Sequence, residues 1–126
     1  MNKTKVYLAS PYSIGDPEAN VKAQIVAADD LLSAGFIPFT PLLYHYHHLL
    51  CPRKYEEWLA LDFEWIKSCD VLVRLPGESK GADLEVAFAK GAGIPVCYGL
   101  EGFYASPHAQ PTIQRKNWEN ARGKNV

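Results

Sequence analysis

The sequence predicts an α/β domain: a parallel sheet of four to five strands between two layers of helices. Three observations carry this. Short, β-rich apolar runs recur along the 126 residues. Helical patterns separate them, and the links are short. Repeated strand–helix alternation of this kind packs as right-handed crossovers around a parallel sheet. The length suits one domain, residues 1–126, and neither an internal repeat nor a low-complexity tract interrupts it.

The first strand is Lys5-Val6-Tyr7-Leu8-Ala9, placed centrally, and Ser10-Pro11 ends it. After the loop Ser10–Gly15, Asp16 is the expected N-cap of a helix with Pro17 at its first position. Val21, Ile25, Ala28 and Leu32 form its expected apolar stripe, and Gly35 closes it. Phe36-Ile37-Pro38-Phe39 reads as a strand towards an edge, since proline cannot donate to an interior ladder. Thr40 to Pro52 is the least regular stretch and reads as a loop or lid over the sheet end. A helix is expected from about Tyr55 to Ser68, its apolar face carrying Trp58, Leu61, Trp65, Ile66 and Cys69. Asp70–Leu75 is a buried strand, Pro76–Gly81 a turn, and about Ala82 to Ala92 a helix. Ile94–Tyr98 is a further strand. Phe103-Tyr104-Ala105 reads as a fifth strand or a loop, and Thr112 to Arg122 as a final helix.

Composition narrows the function. A formal charge of −1 without a basic cluster argues against nucleic-acid binding. No apolar run approaches the roughly 18 residues that span a bilayer, so no membrane partner is expected. The N-terminus enters a strand-like segment directly, without a leader-like apolar stretch. Cys51, Cys69 and Cys97 are odd in number and widely spaced, as reduced thiols would be. A cytoplasmic location is therefore expected.

Two acidic residues stand out. At about 100° per residue, Glu85 shares a helix face with Ala82, Phe88, Ala89 and Ala92, while Asp83 and Lys90 point the other way. A carboxylate on a face that should be buried, just after a strand–helix turn, lies where α/β proteins place ligands. Asp62 falls in the middle of an apolar, tryptophan-rich stripe, where an unpaired carboxylate is costly. Tyr7 lies near the end of the first strand. Each has an ordinary reading: a surface glutamate favoured by the helix dipole, a hydrogen-bonded aspartate capping a loop, a core tyrosine. Their coincidence at one sheet end is the stronger signal.

Three blocks carry a resemblance. Val-Tyr-Leu-Ala-Ser-Pro from Val6, Asp-Phe-Glu-Trp-Ile-Lys-Ser-Cys-Asp-Val-Leu-Val from Asp62, and Ser-x-Gly-x-x-x-Glu from Ser79 to Glu85 together resemble the nucleoside 2-deoxyribosyltransferase superfamily. Within it the chain is most similar to the nucleotide N-glycoside hydrolase branch and its small bacterial and phage relatives, over roughly residues 4 to 98. The resemblance implies a three-layer flavodoxin-like (Rossmann-like) fold and the catalytic set Glu85, Tyr7 and Asp62. Glu85 would be the nucleophile, Tyr7 would position it, and Asp62 would serve the leaving base or the sugar. Ser79 would contact the sugar or a 5′-phosphate, with Gly81 lending backbone amides. Ser10, Tyr12 and Ser13, in the loop after the first strand, join them as candidate substrate contacts, although that loop has no arginine.

The implied chemistry is coherent. Cleaving an N-glycosidic bond passes through an oxocarbenium-like state, which a carboxylate below the anomeric carbon stabilises and then captures. Glu85 is expected to stay ionised, helped by the helix N-terminus and the Tyr7 hydroxyl, and Asp62 to hold a proton for the leaving base. Water as acceptor gives hydrolysis, and a second base gives transfer. No cofactor is expected, and neither a P-loop nor a dinucleotide glycine motif is present.

His45, His47, His48 and Cys51 match no regular zinc spacing, which leaves a metal site, a base-contacting loop or surface packing. No metal is expected, and His45 is the candidate substrate contact. The leading expectation is thus an enzyme acting on a small nucleoside or nucleoside 5′-monophosphate, with a deoxy sugar expected. The alternatives are a TIR-like NAD-cleaving or nucleotide-signal enzyme and a non-catalytic nucleotide sensor. Tyr55, Trp58 and Trp65 on one helix suggest packing or a homo-oligomer interface.

Overall fold

The computed structural model describes residues 3–109. Within them four strands, β1 (Lys5–Ala9), β2 (Ile37–Phe39), β3 (Val71–Arg74) and β4 (Val96–Tyr98), form a wholly parallel sheet in the order β2-β1-β3-β4. Five helices accompany it: α1 (Pro17–Ser33), α2 (Tyr44–Leu50), α3 (Tyr55–Lys67), α4 (Lys80–Gly91) and α5 (Gly99–Tyr104). The α/β fold and the parallel sheet are as expected. The segment Phe103–Ala105 is neither strand nor loop: Phe103 and Tyr104 end α5, and Phe103 is fully buried. The helix expected over Thr112 to Arg122 lies outside the described residues.

Alternation along β1 builds both halves of the core. Val6 and Leu8 pack with Ala28, Leu31, Phe36, Val71, Val73 and Phe103, the layer of α1 and α5. Tyr7 and Ala9 face the opposite way, towards Ile66, Leu72, Ala82 and Ala89 in the layer of α3 and α4. A parallel sheet needs both faces covered, and the uniformly buried Val71–Arg74 strand shows that they are. Pro38 sits on edge strand β2, where its missing N–H interrupts no interior ladder.

Helix α1 is capped as its sequence demands. Asp16 accepts from the Glu18 backbone N–H at 3.1 Å, Pro17 follows, and Gly35 takes φ +93° just beyond the last turn. Its buried stripe is different from the expected one. Val21, Gln24, Ala27, Ala28 and Leu31 face inward, whereas Ile25 and Leu32 are 38% and 46% exposed. The phase is set by a fully buried glutamine that satisfies three groups of neighbouring segments. The stretch Thr40–Pro52 is also more regular than expected: a 3₁₀ turn (Pro41–Leu43) runs into α2. On α3, Ile66 is buried and Trp58 half-buried, but Leu61 and Trp65 are 36% and 40% exposed.

The sheet order fixes where a ligand can enter. From β1 the chain moves to β2 on one side, then returns to add β3 on the other, so the connections leaving β1 and β3 diverge at their C-terminal ends. Open α/β sheets bind ligands in that crevice. The β3 side of it is braced by Arg74, a buried residue that donates to the carbonyls of Leu75 and Gly77 and pairs with Asp83 at 3.1 Å. Gly77 adopts φ +116°, and a Cβ there would stand 2.7 Å from Pro11 Cγ, so the two strand-end loops touch where only glycine fits.

Candidate active site

The crevice holds a cavity of ≈ 750 Å³, within the size range of small-molecule sites. Ser10, Tyr12 and Ser13 line it from the loop after β1, Ser79 and Gly81 from the start of α4, and His45 from α2. Asp62 of α3 and Glu85 of α4 line it too. All six candidate substrate contacts and both candidate carboxyls therefore border one space. Tyr7 lies beneath it, fully buried, with its hydroxyl donating to Glu85 Oε2.

The local sequence explains this convergence. Ser79 caps α4 by accepting from the Ala82 N–H at 3.0 Å, which starts the helix so that Ala82, Glu85 and Ala89 share its buried face. The alanines let α4 lie close to the sheet and leave the carboxyl beside the β1 phenol. Asp62 lies on the α3 stripe between half-buried Trp58 and buried Ile66, so it meets the same point from the other helix of this layer. Gly81 borders the cavity without a close neighbour, since an added Cβ would meet Tyr55 Oη at 3.6 Å.

Electrostatics couple the three groups. Burial pushes the Glu85 carboxyl well above the usual carboxylate range, and the Asp62 charge pushes it further; the Tyr7 hydrogen bond and the Arg74 guanidinium charge act in the opposite direction. Asp62 is raised by burial as well, with hydrogen bonds from Glu85 and Tyr7 pulling it back. Tyr7 is raised further still by burial and by both carboxyls, and so keeps its proton. The pair accordingly retains a proton into the neutral range. The ionisation of Glu85 is therefore tied to that of Asp62. Glu85 sits in the second turn of α4, beyond the reach of the helix N-terminus, and burial outweighs the phenol.

Two of the histidine-stretch residues have definite hydrogen-bond partners. His45 is buried between two partners, with Nδ1 2.6 Å from the Tyr12 hydroxyl and Nε2 3.0 Å from Glu18 Oε1. His48 Nδ1 accepts from Trp58 Nε1 at 2.9 Å and from the Arg53 backbone N–H at 3.2 Å, so its proton resides on Nε2. Cys51 is exposed. Among the described residues, no three His, Cys, Asp or Glu side chains gather in a way that could hold a metal ion. Trp58 lines the cavity, with Tyr44 and His48 packed on its ring.

Sequence reasoning missed Gln24, Glu18 and Arg74. Gln24 donates to Leu8 O at 3.2 Å and Ser10 Oγ at 2.7 Å, and accepts from the Leu42 N–H at 2.9 Å. It ties the end of β1 to the turn before α2 and so fixes one cavity wall. Its signal was available: a glutamine three residues after Val21 on the same helix face. Arg74, a charge at the end of an apolar strand, was equally visible. Glu18 has no such mark, because its partner His45 is 27 residues away.

Residues 4–99 match a family model described as "Domain of unknown function (DUF7768)". The chain belongs to this family. Among curated proteins, no sequence matches it. Among solved structures, this DUF7768 domain is similar to a 2-deoxyribosyltransferase from Bacillus psychrosaccharolyticus, described as a biocatalyst for nucleoside synthesis. The TM-score is 0.55 and the identity 25%, over 75% of this chain and 71% of that one. It is also similar in fold to the 2-desoxiribosyltransferase of Leishmania mexicana (TM-score 0.56, identity 16%), covering 75% of this chain and 63% of that one. The DUF7768 domain thus has the α/β fold of 2-deoxyribosyltransferases, which supports the superfamily read from its residues. No described helix is long and apolar enough to cross a membrane.

Proposed function

We propose that this domain cleaves the N-glycosidic bond of a nucleoside or nucleoside 5′-monophosphate, with Glu85 as nucleophile. The observation that carries the reading is the Tyr7–Glu85–Asp62 cluster, with Tyr7 and Glu85 buried and Asp62 half-buried, bordering a cavity at the divergence of β1 and β3. Two coupled carboxyls with one proton supply what the reaction needs: a carboxylate for the anomeric carbon and an acid for the departing base. In the productive arrangement the proton rests on Asp62 and Tyr7 donates to the Glu85 carboxylate. The C1′–N bond breaks as Glu85 bonds to C1′, and the base leaves with the Asp62 proton. Water then attacks C1′ and releases Glu85, with Asp62 accepting its proton; a second base in place of water gives transfer.

A panel of ribo- and deoxyribonucleosides and their 5′-monophosphates, incubated with the protein and followed by chromatography, tests this. Free base is expected from at least one member. Intact substrates throughout would overturn the reading, and nicotinamide release from NAD alone would move the chain to a different N-glycosidase class.

A further inference from the structure

The cavity wall formed by Tyr12 contains a three-residue chain that none of the proposed catalytic steps uses. Glu18 Oε1 lies 3.0 Å from His45 Nε2, and His45 Nδ1 lies 2.6 Å from the Tyr12 hydroxyl. His45 is buried, Glu18 is 49% exposed, and Tyr12 is half-buried. Helix α1 therefore reaches across to α2 through His45, and α2 in turn holds the side chain of the loop after β1. The loop is pinned from α1 as well, by Asn20 Nδ2 donating to the Tyr12 and Ile14 carbonyls at 2.8 Å each.

The chain has a direction. A carboxylate oxygen accepts hydrogen bonds, so the imidazole proton belongs on Nε2. In the neutral ring, Nδ1 is then an acceptor, and the Tyr12 hydroxyl must donate to it. With its proton committed, the Tyr12 oxygen can offer only lone pairs to the cavity it borders. Turning that proton towards a ligand would leave Nδ1 of a buried histidine unpaired, which is unfavourable.

We propose that Glu18, His45 and Tyr12 form a specificity device that fixes Tyr12 as a hydrogen-bond acceptor and favours nucleobases bearing an exocyclic amino group over their keto counterparts. The inference rests on the nucleoside reading of the cavity. An amino group donates to the Tyr12 oxygen, whereas a keto oxygen at that position places two acceptors against each other. Tyr12 and His45 already stand as candidate substrate contacts; what is new is the polarity that Glu18 imposes on them. Glu18 and His45 act through Tyr12 and are positioning residues.

Binding of deoxyadenosine against deoxyinosine, and of deoxycytidine against deoxyuridine, tests the proposal by calorimetry on the full chain. In each pair the two members differ at the group in question. The wild type is expected to favour the amino member of at least one pair by roughly tenfold, the scale of one hydrogen bond. Tyr12→Phe removes the acceptor, and Glu18→Ala frees His45 to place its proton on either nitrogen; both are expected to bring the ratio towards one. Glu18→Gln, whose amide oxygen can accept the same hydrogen bond, is expected to restore it. Circular dichroism of each variant separates unfolding from lost discrimination. Binding of all four ligands with no amino preference, or a preference that survives in both Tyr12→Phe and Glu18→Ala, overturns this inference and leaves the glycosidase reading standing. No binding of any nucleoside or 5′-monophosphate overturns both.

Discussion

Replacing Glu85 with glutamine is expected to abolish base release, lowering kcat by about 10⁴-fold or more, the scale of losing a covalent nucleophile. The amide keeps the shape of the side chain and can accept from Tyr7, but it cannot bond to an anomeric carbon. Stability should move in the opposite direction. The folded-state pKa of Glu85 is raised, chiefly by burial, so the native protein holds a proton that the unfolded chain releases. The linked stabilisation is complete below the ordinary carboxylate range and is lost as pH rises through the folded-state value. Glutamine carries no ionisation cost, so Glu85→Gln is expected to unfold at a higher temperature than wild type in alkaline buffer, with the gap narrowing in acid. Thermal unfolding across pH 5 to 9 checks this. A variant that is inactive and also less stable in alkali would mark Glu85 as a structural residue.

Asp62→Asn carries the second large effect. Without a proton for the departing base, kcat is expected to fall by roughly 10²–10⁴-fold, the usual contribution of a general acid. The loss should shrink for a synthetic deoxyriboside whose leaving group departs without protonation. Asp62 must keep its proton in the proposed step, so losing that proton ends wild-type activity in alkali; with asparagine in its place the residual activity should no longer fall there. Equal losses for both kinds of leaving group, with the alkaline limb kept, would remove Asp62 from the acid role.

How much was legible from the residues depended on the physical signal each position leaves. The strands announced themselves as short β-rich runs, and Asp16-Pro17 and Gly35 marked the ends of α1 because caps and positive φ angles select particular residue types. Glu85 and Asp62 were conspicuous because a carboxyl among alanines or tryptophans is costly without a partner. Gln24 was passed over for Ile25, since apolar periodicity favours the aliphatic neighbour even when a buried amide does more for the fold. The proton content of the carboxyl pair was illegible for a different reason. It depends on three side chains from β1, α3 and α4 meeting in one desolvated place, and no local pattern encodes that. The same holds for Glu18, His45 and Tyr12, which converge from three segments.

The most direct test of the central claim is covalent trapping. A 2-deoxy-2-fluoroarabinosyl nucleoside (or its 5′-phosphate) carries a fluorine that destabilises the oxocarbenium-like state and slows release of a glycosyl-enzyme ester. Intact-mass and peptide mass spectrometry of the treated protein should find one added fluorosugar, on the peptide containing Glu85 and on that side chain. A sugar bonded to another residue, or base release with no adduct at any time, would contradict the account.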